Sequence, residues 1–271
     1  MSVQENLPTH LTMPPKGPLR KIALWGVNHL LGLQHLKLPP DFPLHQRLAV
    51  LQKGIEPDIR HLCSQYVSKG MTVIDVGANA GLITRHFCRL VGANGKVYSF
   101  EPDPLVFRFL EFNTRLFSNK ELIQSAVSDN NEPMQLHLNS CSSLGNSLFN
   151  KNRSAESVTV SCTSLDEFLT RRGEPTVDVI KIDTEGAELS VLRGMRQTIA
   201  RLPALKIIIE YCPQNLKGAG IEPRAVLDEL RSHQFCLQII QNDGSLKKID
   251  GDDVSAGDFN PNGYVNLFCA R

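Results

Sequence analysis

The sequence predicts an α/β fold in which a mostly parallel sheet is covered by helices on both faces. From Met71 onward, β-branched apolar runs alternate with segments of helical periodicity. This alternation is typical of parallel strands joined by crossover helices. A glycine-bearing turn links the first strand to the first of these helices. The last two apolar runs lack a helix-length linker, so we predict that they pair as an antiparallel hairpin at one edge.

The residues before the sheet divide into an arm and a helical region. Residues 1–18 hold four prolines and show no periodicity, which predicts a flexible arm. Residues 19–69 carry helical periodicity, which Pro39-Pro40 breaks and which Pro57 restarts at a favourable first helical position. Within this region, "IALWGVNHLLGL" predicts an amphipathic helix packed on the main domain. We interpret residues 19–69 as a lid or a dimerisation surface.

The main domain is predicted at residues 70–271 and carries seven strands. The strand runs are "MTVIDV", "KVYSFE", "ELIQSAV", "VDVIKID", "ALKIIIEY", "FCLQIIQ" and "YVNLFCA". Helices are predicted between them at about 81–91, 103–117, 187–201 and 222–233. An insert at 132–162 breaks the alternation with two half-exposed strands, "MQLHLN" and "SVTVSC".

Composition excludes several classes of partner. The net charge of +1 and the absence of a basic run with interleaved aromatics predict no nucleic-acid partner. Apolar stretches stay below the roughly 18 residues that a membrane span needs, so we also predict no membrane partner. The seven cysteines are odd in number and form no CxxC pair, which argues against a disulfide framework and a zinc site. Reduced cysteines suit a cytoplasmic enzyme.

The turn in "MTVIDVGANAGLIT" predicts a nucleotide-like ligand. Glycines between a strand and a helix let backbone N–H groups approach a ligand without an intervening Cβ. A dinucleotide fingerprint starting at Gly77 would need glycine at positions 79 and 82, where the chain has Asn79 and Leu82. Asp75 at the strand tip suits the ammonium of S-adenosylmethionine and would repel a pyrophosphate. We therefore predict that Asp75, Gly77, Asn79 and Gly81 bind S-adenosylmethionine.

The next two strand ends supply further candidates for the nucleoside. Glu101 lies twenty residues beyond the glycine turn, where a carboxylate can accept both ribose hydroxyls, although it can also cap the helix that starts near Pro102. Pro102 is a further candidate contact for the cofactor, and Asp103 either caps that helix or contacts the adenosine. Ser125 and Ala126 are candidates to flank the adenine through backbone contacts, with an ordinary strand end as the alternative.

The fourth strand ends in a concentration of acids, "VDVIKIDTEGAELSVLRG". Asp183, Glu185 and Glu188 fall within six residues, and three acids so close must be solvated, paired or used in the reaction. Glu188 suits a helix start, and Lys181 is expected to share a strand face with Asp183 and pair there. Together with Glu210 at the tip of the fifth strand, Asp183 and Glu185 are the predicted catalytic carboxylates. Asp183 is also a candidate contact for the cofactor's methionine end.

With these motifs in place, the chain resembles the FkbM-type family of S-adenosylmethionine-dependent methyltransferases. The matching segments are "VIDVGANAGLIT", "VYSFEPDP", "SAVSD", "VDVIKIDTEGAELSVLRG" and "IIIEY", from about residue 70 to the C-terminus. The resemblance implies a Rossmann-like methyltransferase fold with an added hairpin. It implies methyl transfer to a hydroxyl on a sugar, a polyketide or another secondary metabolite. Methylation of a peptide amide nitrogen or of a carboxylate remains an alternative.

Other functions remain open at this stage. A nicotinamide-dependent oxidoreductase and a non-catalytic nucleoside-binding module are the alternatives of another class. No resident metal is predicted, but the carboxylates at the fourth and fifth strand tips are an alternative site for Mg²⁺, which prefers oxygen ligands. The acceptor is expected to be a small molecule, a glycan or a peptide, and a homodimer through the N-terminal helices is possible.

Overall fold

An eight-stranded sheet forms the centre of the computed structural model. The structure describes residues 18–40, 42–52, 54, 56–137, 148, 157–249 and 253–271. The arm predicted at 1–18 therefore lies outside the described residues except for Pro18, which begins the first helix. Of the insert predicted at 132–162, only 132–137, 148 and 157–162 are described.

Five neighbouring strands of this sheet run parallel. The strands within the described residues are β1 Thr72–Val76, β2 Lys96–Phe100, β3 Lys120–Ile123, β4 Ala126–Val127, β5 Met134–His137, β6 Ser157–Val160, β7 Cys162–Thr163, β8 Val179–Ile182, β9 Lys206–Tyr211, β10 Cys236–Ile240, β11 Leu246–Lys248 and β12 Val265–Ala270. The main sheet has the order β11-β10-β12-β9-β8-β1-β2-β3. Strands β9, β8, β1, β2 and β3 are parallel, whereas β12 lies antiparallel between β9 and β10.

The predicted Rossmann-like architecture is confirmed, with two differences in its strands. The antiparallel pairing of the last two runs is confirmed as β10 with β12, but the count of seven strands was wrong by one. The eighth strand, β11, has the sequence "LKK", which contains no β-branched run that a pattern could reveal. The run "ELIQSAV" also splits into β3 and β4, because β4 leaves the main sheet to pair with β7.

The helices cover both faces of the sheet. Within the described residues they are α1 Pro18–Leu33, α2 Leu44–Gln52, α3 Pro57–Tyr66, α4 Leu82–Val91, α5 Pro104–Thr114, α6 Leu165–Thr170, α7 Glu188–Arg193, α8 Arg196–Arg201, α9 Pro213–Gly218 and α10 Arg224–Ser232. The single helix predicted at 187–201 is interrupted at Gly194, where a Cβ would overlap the carbonyl oxygen of Ser128. No described helix is long and apolar enough to cross a membrane.

Successive residues of the central strands enter two different cores. Ile74 and Ile180 pack on one face with α6, α7, α8 and α10, while Val73 and Val179 pack on the other face with α3 and α4. Strands that are apolar on both sides are what a sheet covered on both faces requires.

The N-terminal helices pack over the glycine turn. Val27 and Leu31 of α1 share a buried cluster with Val50 of α2 and with Ala80 of the turn itself. Because β1, β2, β8 and β9 are parallel, their carboxyl ends meet at one edge of the sheet, and the N-terminal helices border that edge.

Candidate active site

A cavity of about 770 Å³ opens at the carboxyl edge of the sheet. Its walls come from the glycine turn, the ends of β2, β8 and β9, the N-terminal helices and the loops around β11 and β12. Most residues that the sequence predicted for the site line this cavity: Asp75, Gly77, Asn79, Glu101, Pro102, Ser125, Ala126, Asp183, Glu185 and Glu210. The structure therefore brings the predicted donor residues and the predicted catalytic carboxylates together.

Two predicted cofactor residues, Gly81 and Asp103, are not among the residues that line the cavity. Gly81 has φ +81°, and a Cβ there would lie 2.6 Å from a side-chain carbon of Leu110, so glycine at this position permits close packing of α4 on α5. Asp103 caps α5, because its Oδ1 accepts hydrogen bonds from the backbone N–H groups of Leu105 (2.7 Å) and Val106 (3.2 Å). Of the two roles left open for Asp103, capping is the one that the structure contains.

Glycine at position 77 is required by the neighbouring strand. Gly77 has φ +82°, and a Cβ on it would overlap the carbonyl oxygen of Asp183, directly after β8. The turn thus lies against the backbone that carries the predicted catalytic acid. This contact fixes the side of the cavity that is predicted to bind S-adenosylmethionine, here called the donor side, relative to the acids that follow β8.

The backbone donors of the glycine turn are already used within the protein. All five N–H groups of residues 77–81 donate hydrogen bonds to protein acceptors. The N–H groups of Gly77 and Ala78 donate to Phe100 O at 3.1 and 2.9 Å, and that of Asn79 donates to Glu101 Oε2 at 2.9 Å. The N–H of Ala80 donates to Asn79 Oδ1 at 2.7 Å, and that of Gly81 donates to Ala78 O at 2.9 Å. The expectation that these N–H groups approach the ligand was wrong, and a pyrophosphate would find no free donor among them.

Asp75 presents an unsatisfied oxygen at the cavity wall. The residue is fully buried, and its Oδ2 accepts a hydrogen bond from Thr84 Oγ1 at 2.6 Å. Its Oδ1 is buried and has no donor among the residues that the structure describes. Burial raises the pKa of Asp75, while the charge of Lys181 opposes that shift. A ligand ammonium would supply the missing donor and favour the carboxylate.

Glu101 is held rigidly beside the turn. Its Oε2 accepts the N–H of Asn79 (2.9 Å) and its Oε1 the N–H of Asp103 (3.0 Å). Burial raises the pKa of Glu101 to about 8 in spite of these two bonds. Each carboxylate oxygen keeps a further lone pair, so both can accept additional hydroxyl donors from a ligand.

Asp183, Glu185 and Glu210 form a compact acid cluster. One carboxylate oxygen from each lies within 4.8 Å of the others. Lys181 Nζ donates to Asp183 Oδ2 at 2.8 Å, as the shared strand face predicted, and Asn215 Nδ2 donates to Glu185 Oε2 at 2.7 Å. Burial, followed by the charges of Asp183 and Glu185, raises the pKa of Glu210 well above its usual range. The cluster therefore contains a carboxylate paired with a lysine beside a carboxyl that favours its protonated form.

Glu188 holds the turn that presents this cluster. It is buried, and its Oε1 accepts the N–H groups of Thr184 and Gly186 and the hydroxyl of Thr184, at 3.0 to 3.1 Å. Glu188 therefore does not cap α7, whose start has no side-chain cap, but binds back to the turn that precedes the helix. The third acid of the "DTEGAE" segment is thus structural, and it fixes the backbone between Asp183 and Glu185.

Sequence reasoning missed an acid that the N-terminal region contributes. Glu56 lines the cavity immediately before α3, with its Oε2 3.9 Å from Lys181 Nζ. Its φ of +47° lies in the left-handed region, which is unusual for a residue other than glycine. Burial raises the pKa of Glu56 to about 7, although Lys181 acts in the opposite direction. The only local signal was Pro57, which predicted the helix start but not its position beside β8.

The mouth of the cavity carries amide and phenol groups that no motif indicated. They come from α2 and from the loops flanking β11 and β12, and they are Gln46, Asn242, Asn260, Asn262 and Tyr264. The segment 260–264 forms a tight turn closed by a hydrogen bond from Gly263 N to Asn260 O (2.9 Å). Such groups donate and accept hydrogen bonds without adding charge.

Comparison with protein families identifies the family of this chain. The model of the methyltransferase FkbM domain matches residues 75–239, more than half of the chain. The chain belongs to the FkbM-type family of S-adenosylmethionine-dependent methyltransferases. It is a methyltransferase, and the oxidoreductase alternative is set aside.

Two characterised relatives share most of their length with this FkbM methyltransferase. The 2-O-methyltransferase NoeI of Sinorhizobium fredii is 26% identical over 216 residues, covering 72% of this chain and 88% of the relative. The hexuronic acid methyltransferase AglP of Haloferax volcanii is 25% identical over 185 residues, covering 68% and 71%. Among solved structures, precorrin-6y C5,15-methyltransferase from Geobacter metallireducens aligns with a TM-score of 0.49 at 11% identity, covering 88% of this chain and 96% of that one.

The matched family segment contains only part of the cavity wall. It includes the glycine turn, Glu101 and the acid cluster, but it excludes Glu56 and the turn at 260–264. The walls of the cavity in this FkbM methyltransferase thus divide into a part within the family match, which holds the predicted S-adenosylmethionine contacts and the acid cluster, and a part built from segments outside the match.

Proposed function

We propose that this protein transfers a methyl group from S-adenosylmethionine to a hydroxyl oxygen of a sugar. The observation that carries the proposal is the cavity itself, in which buried acids next to a turn without free N–H donors face a carboxylate cluster. The names of the two characterised relatives, one a 2-O-methyltransferase and one a hexuronic acid methyltransferase, support a carbohydrate acceptor.

The donor side fits S-adenosylmethionine better than a dinucleotide. Asp75 Oδ1 would accept from the ammonium, and Glu101 would accept the ribose hydroxyls with its remaining lone pairs. The N-terminus of α4 has no side-chain cap, so its first N–H groups suit the carboxylate of the methionine end. Phe100, Ala126 and Leu136 supply an apolar wall for the adenine.

We assign the general base to Asp183. When bound, S-adenosylmethionine supplies a methyl group on a sulfonium, which needs positioning of the acceptor more than further activation. Asp183 would take the proton of the acceptor hydroxyl as the acceptor oxygen bonds to the methyl carbon, while the bond between that carbon and sulfur breaks and S-adenosylhomocysteine leaves as a neutral thioether. Lys181 orients this carboxylate, and Glu210, favouring its protonated form, can donate a hydrogen bond to the acceptor. Because Lys181 and Asn215 already hold the cluster together, we assign no role to Mg²⁺.

The cavity mouth favours a hydroxyl-bearing acceptor over an acid. Amides and a phenol line it, and these groups match the alternating donors and acceptors of sugar hydroxyls. A carboxylate acceptor would lie beside the carboxylates of Asp183 and Glu185, and the only lysine or arginine lining the cavity in the described residues, Lys181, is already paired with Asp183. Repulsion between these carboxylates and a carboxylate acceptor disfavours its binding.

The acceptor class can be tested with donor carrying a ¹³C-labelled methyl group. We expect the labelled carbon to appear in O-methyl ethers of neutral glycosides. It should not appear in methyl esters of uronates or in N-methyl groups of peptides. NMR of the products identifies the labelled atom directly. Transfer to a carboxylate or to an amide nitrogen, with glycosides unmodified, would contradict the hydroxyl assignment while leaving the donor assignment intact.

The donor can be tested by binding. We expect S-adenosylhomocysteine to raise the melting temperature of the protein and NAD to leave it unchanged, because Asp75 at the cavity wall suits an ammonium and would repel a pyrophosphate. Stabilisation by NAD alone would overturn the proposal.

The Glu101→Gln variant tests the part that Glu101 plays in binding the methyl donor. Ribose hydroxyls favour the ionised form of Glu101, whose pKa is about 8 in the free protein, so donor binding releases a proton there. Affinity for S-adenosylhomocysteine should therefore rise with pH, by up to about tenfold per pH unit, until the pH reaches that pKa. Glu101→Gln should bind more weakly and lose this dependence. An unchanged pH dependence in the variant would assign the titration to another group.

A further inference from the structure

Helix α1 carries a large apolar face that points away from the protein. Val27 and Leu31 are buried against the rest of the N-terminal region, as expected for a packed amphipathic helix. The opposite side, here called the α1 face, is apolar as well. Its large side chains and their exposed fractions are Ile22 (64%), Trp25 (70%), Leu30 (51%) and Leu33 (67%).

Helix α1 also exposes Lys21, Asn28 and His29, so it is not apolar all round, but it has a second apolar face besides the one that packs on the protein. The α1 face holds four of the six exposed large hydrophobic side chains in the described part of the chain. Scattered single exposed leucines are ordinary, but four large side chains within twelve residues form a contiguous patch, and such patches mark interaction surfaces. The sequence prediction of a helix packed on the domain accounts for the inner side only.

The stretch of sequence that contains this face has charges of a single sign. Residues 6–40 contain no aspartate or glutamate but include Lys16, Arg20, Lys21 and Lys37. Lys21 is exposed in the first turn of α1, and Lys37 is exposed shortly after its end, with its Nζ 4.0 Å from the centroid of the Phe112 ring. The overall net charge of +1 therefore hides a basic stretch of sequence that contains this helix.

We propose that the α1 face binds peripherally to an anionic lipid surface. An exposed tryptophan with leucine and isoleucine on one face and lysines beside it is the arrangement that inserts into the headgroup region of a bilayer. The basic segment complements anionic headgroups, whereas a second copy docked through the same face would bring two basic segments together. The expectation of no membrane partner rested on the absence of a spanning segment, which does not bear on a helix lying in the interface.

This binding would place the cavity beside the lipid surface. Helix α1 packs on α2, and Gln46, Ala49 and Val50 of α2 line the cavity. Lipid binding by the α1 face does not depend on methyl transfer, so its test is separate from the test of the proposed function.

Trp25 is the only tryptophan in the chain, so its fluorescence reports on the α1 face alone. We expect its emission to shift to shorter wavelength with phosphatidylcholine vesicles that contain phosphatidylglycerol, and to be quenched when the lipids are brominated. Vesicles of phosphatidylcholine alone should give a weaker response, and added salt should reduce binding. The Ile22→Ser/Leu30→Ser/Leu33→Ser variant, which keeps Trp25, should bind at least about tenfold more weakly. Leu105→Ser, which removes a leucine that is 56% exposed on another helix, is the matched control and should bind normally.

Three outcomes would overturn the proposal. The first is an emission spectrum that anionic vesicles leave unchanged. The second is an emission shift that follows protein concentration together with a dimer in sedimentation, which would assign the α1 face to a second copy. The third is emission that moves to longer wavelength when residues 1–17 are deleted in the absence of vesicles, which would assign the face to the chain's own N-terminal segment.

Discussion

Asp183→Asn is expected to lower kcat by about 10²–10⁴-fold, the range that removal of a general base produces. Asparagine keeps the shape of the side chain and can still accept the hydrogen bond from Lys181 Nζ, which lies 2.8 Å from the carboxylate. It cannot take the proton of the acceptor hydroxyl. Affinity for S-adenosylhomocysteine should stay within about twofold, because the variant removes an interaction used in the reaction and not in donor binding. Steady-state kinetics with the labelled donor and calorimetric binding separate the two effects.

The control for this variant is an aspartate paired with a lysine outside the cavity. Asp258 Oδ1 accepts from Lys247 Nζ at 2.6 Å, and Asp258→Asn should leave kcat unchanged. If Asp183→Asn retained full activity while Glu210→Gln lost it, the base would be Glu210. If donor binding were lost with Asp183→Asn, its role would lie at the methionine end of the cofactor.

The same assay tests whether the acid cluster works without a divalent cation. Wild-type turnover should persist in EDTA, because Lys181 and Asn215 already donate to two of the three carboxylates. Loss of turnover in EDTA that Mg²⁺ restores would instead make the cluster a metal site, and the effect of Asp183→Asn would then be read as loss of a ligand.

The donor side of the site was largely predictable from sequence, because strand ends and glycine turns are local features. The acids at the ends of parallel strands must meet at one edge of the sheet, so Asp75, Glu101, Asp183 and Glu210 could be placed together without coordinates. The family segment covers this side. The spacing could not indicate which acceptor each backbone N–H group of the turn binds. For this reason Gly81 and the N–H groups of the turn were assigned to the ligand, although they donate within the protein.

The other side was not predictable, because tertiary packing alone brings its parts together. Glu56 and Lys181 are 125 positions apart in sequence and meet only because α3 packs beside the central strands. Asn260 and Tyr264 belong to a turn whose sequence signals a change of chain direction and nothing about a cavity. Short polar strands such as β11 are equally invisible, since pairing with β10 forms them without an apolar pattern.

Gly77→Ala is expected to destabilise the protein by about 2–5 kcal/mol. The left-handed backbone, at φ +82°, costs a residue with a Cβ about 1–2 kcal/mol. The new methyl group would also overlap the carbonyl oxygen of Asp183, and forcing backbone apart in a packed site costs about 1–3 kcal/mol more. Relief of the overlap must move the turn away from β8, which displaces Asp75 and Asn79. Affinity for S-adenosylhomocysteine should consequently fall by about tenfold or more, since loss of placement at this scale removes several contacts at once.

Gly70→Ala provides a matched control, because Gly70 has nearly the same backbone conformation, φ +86°, with no atom within 4 Å of the added methyl group. This variant should lose only the stability that the left-handed backbone costs a residue with a Cβ, about 1–2 kcal/mol, and it should bind S-adenosylhomocysteine normally. Urea denaturation of the cofactor-free proteins measures the difference between the two variants, which isolates the contact between the turn and β8. Equal destabilisation and unchanged donor binding in both variants would mean that the turn relaxes without moving the site. The close contact at Gly77 would then have no part in holding the donor side against the catalytic acids.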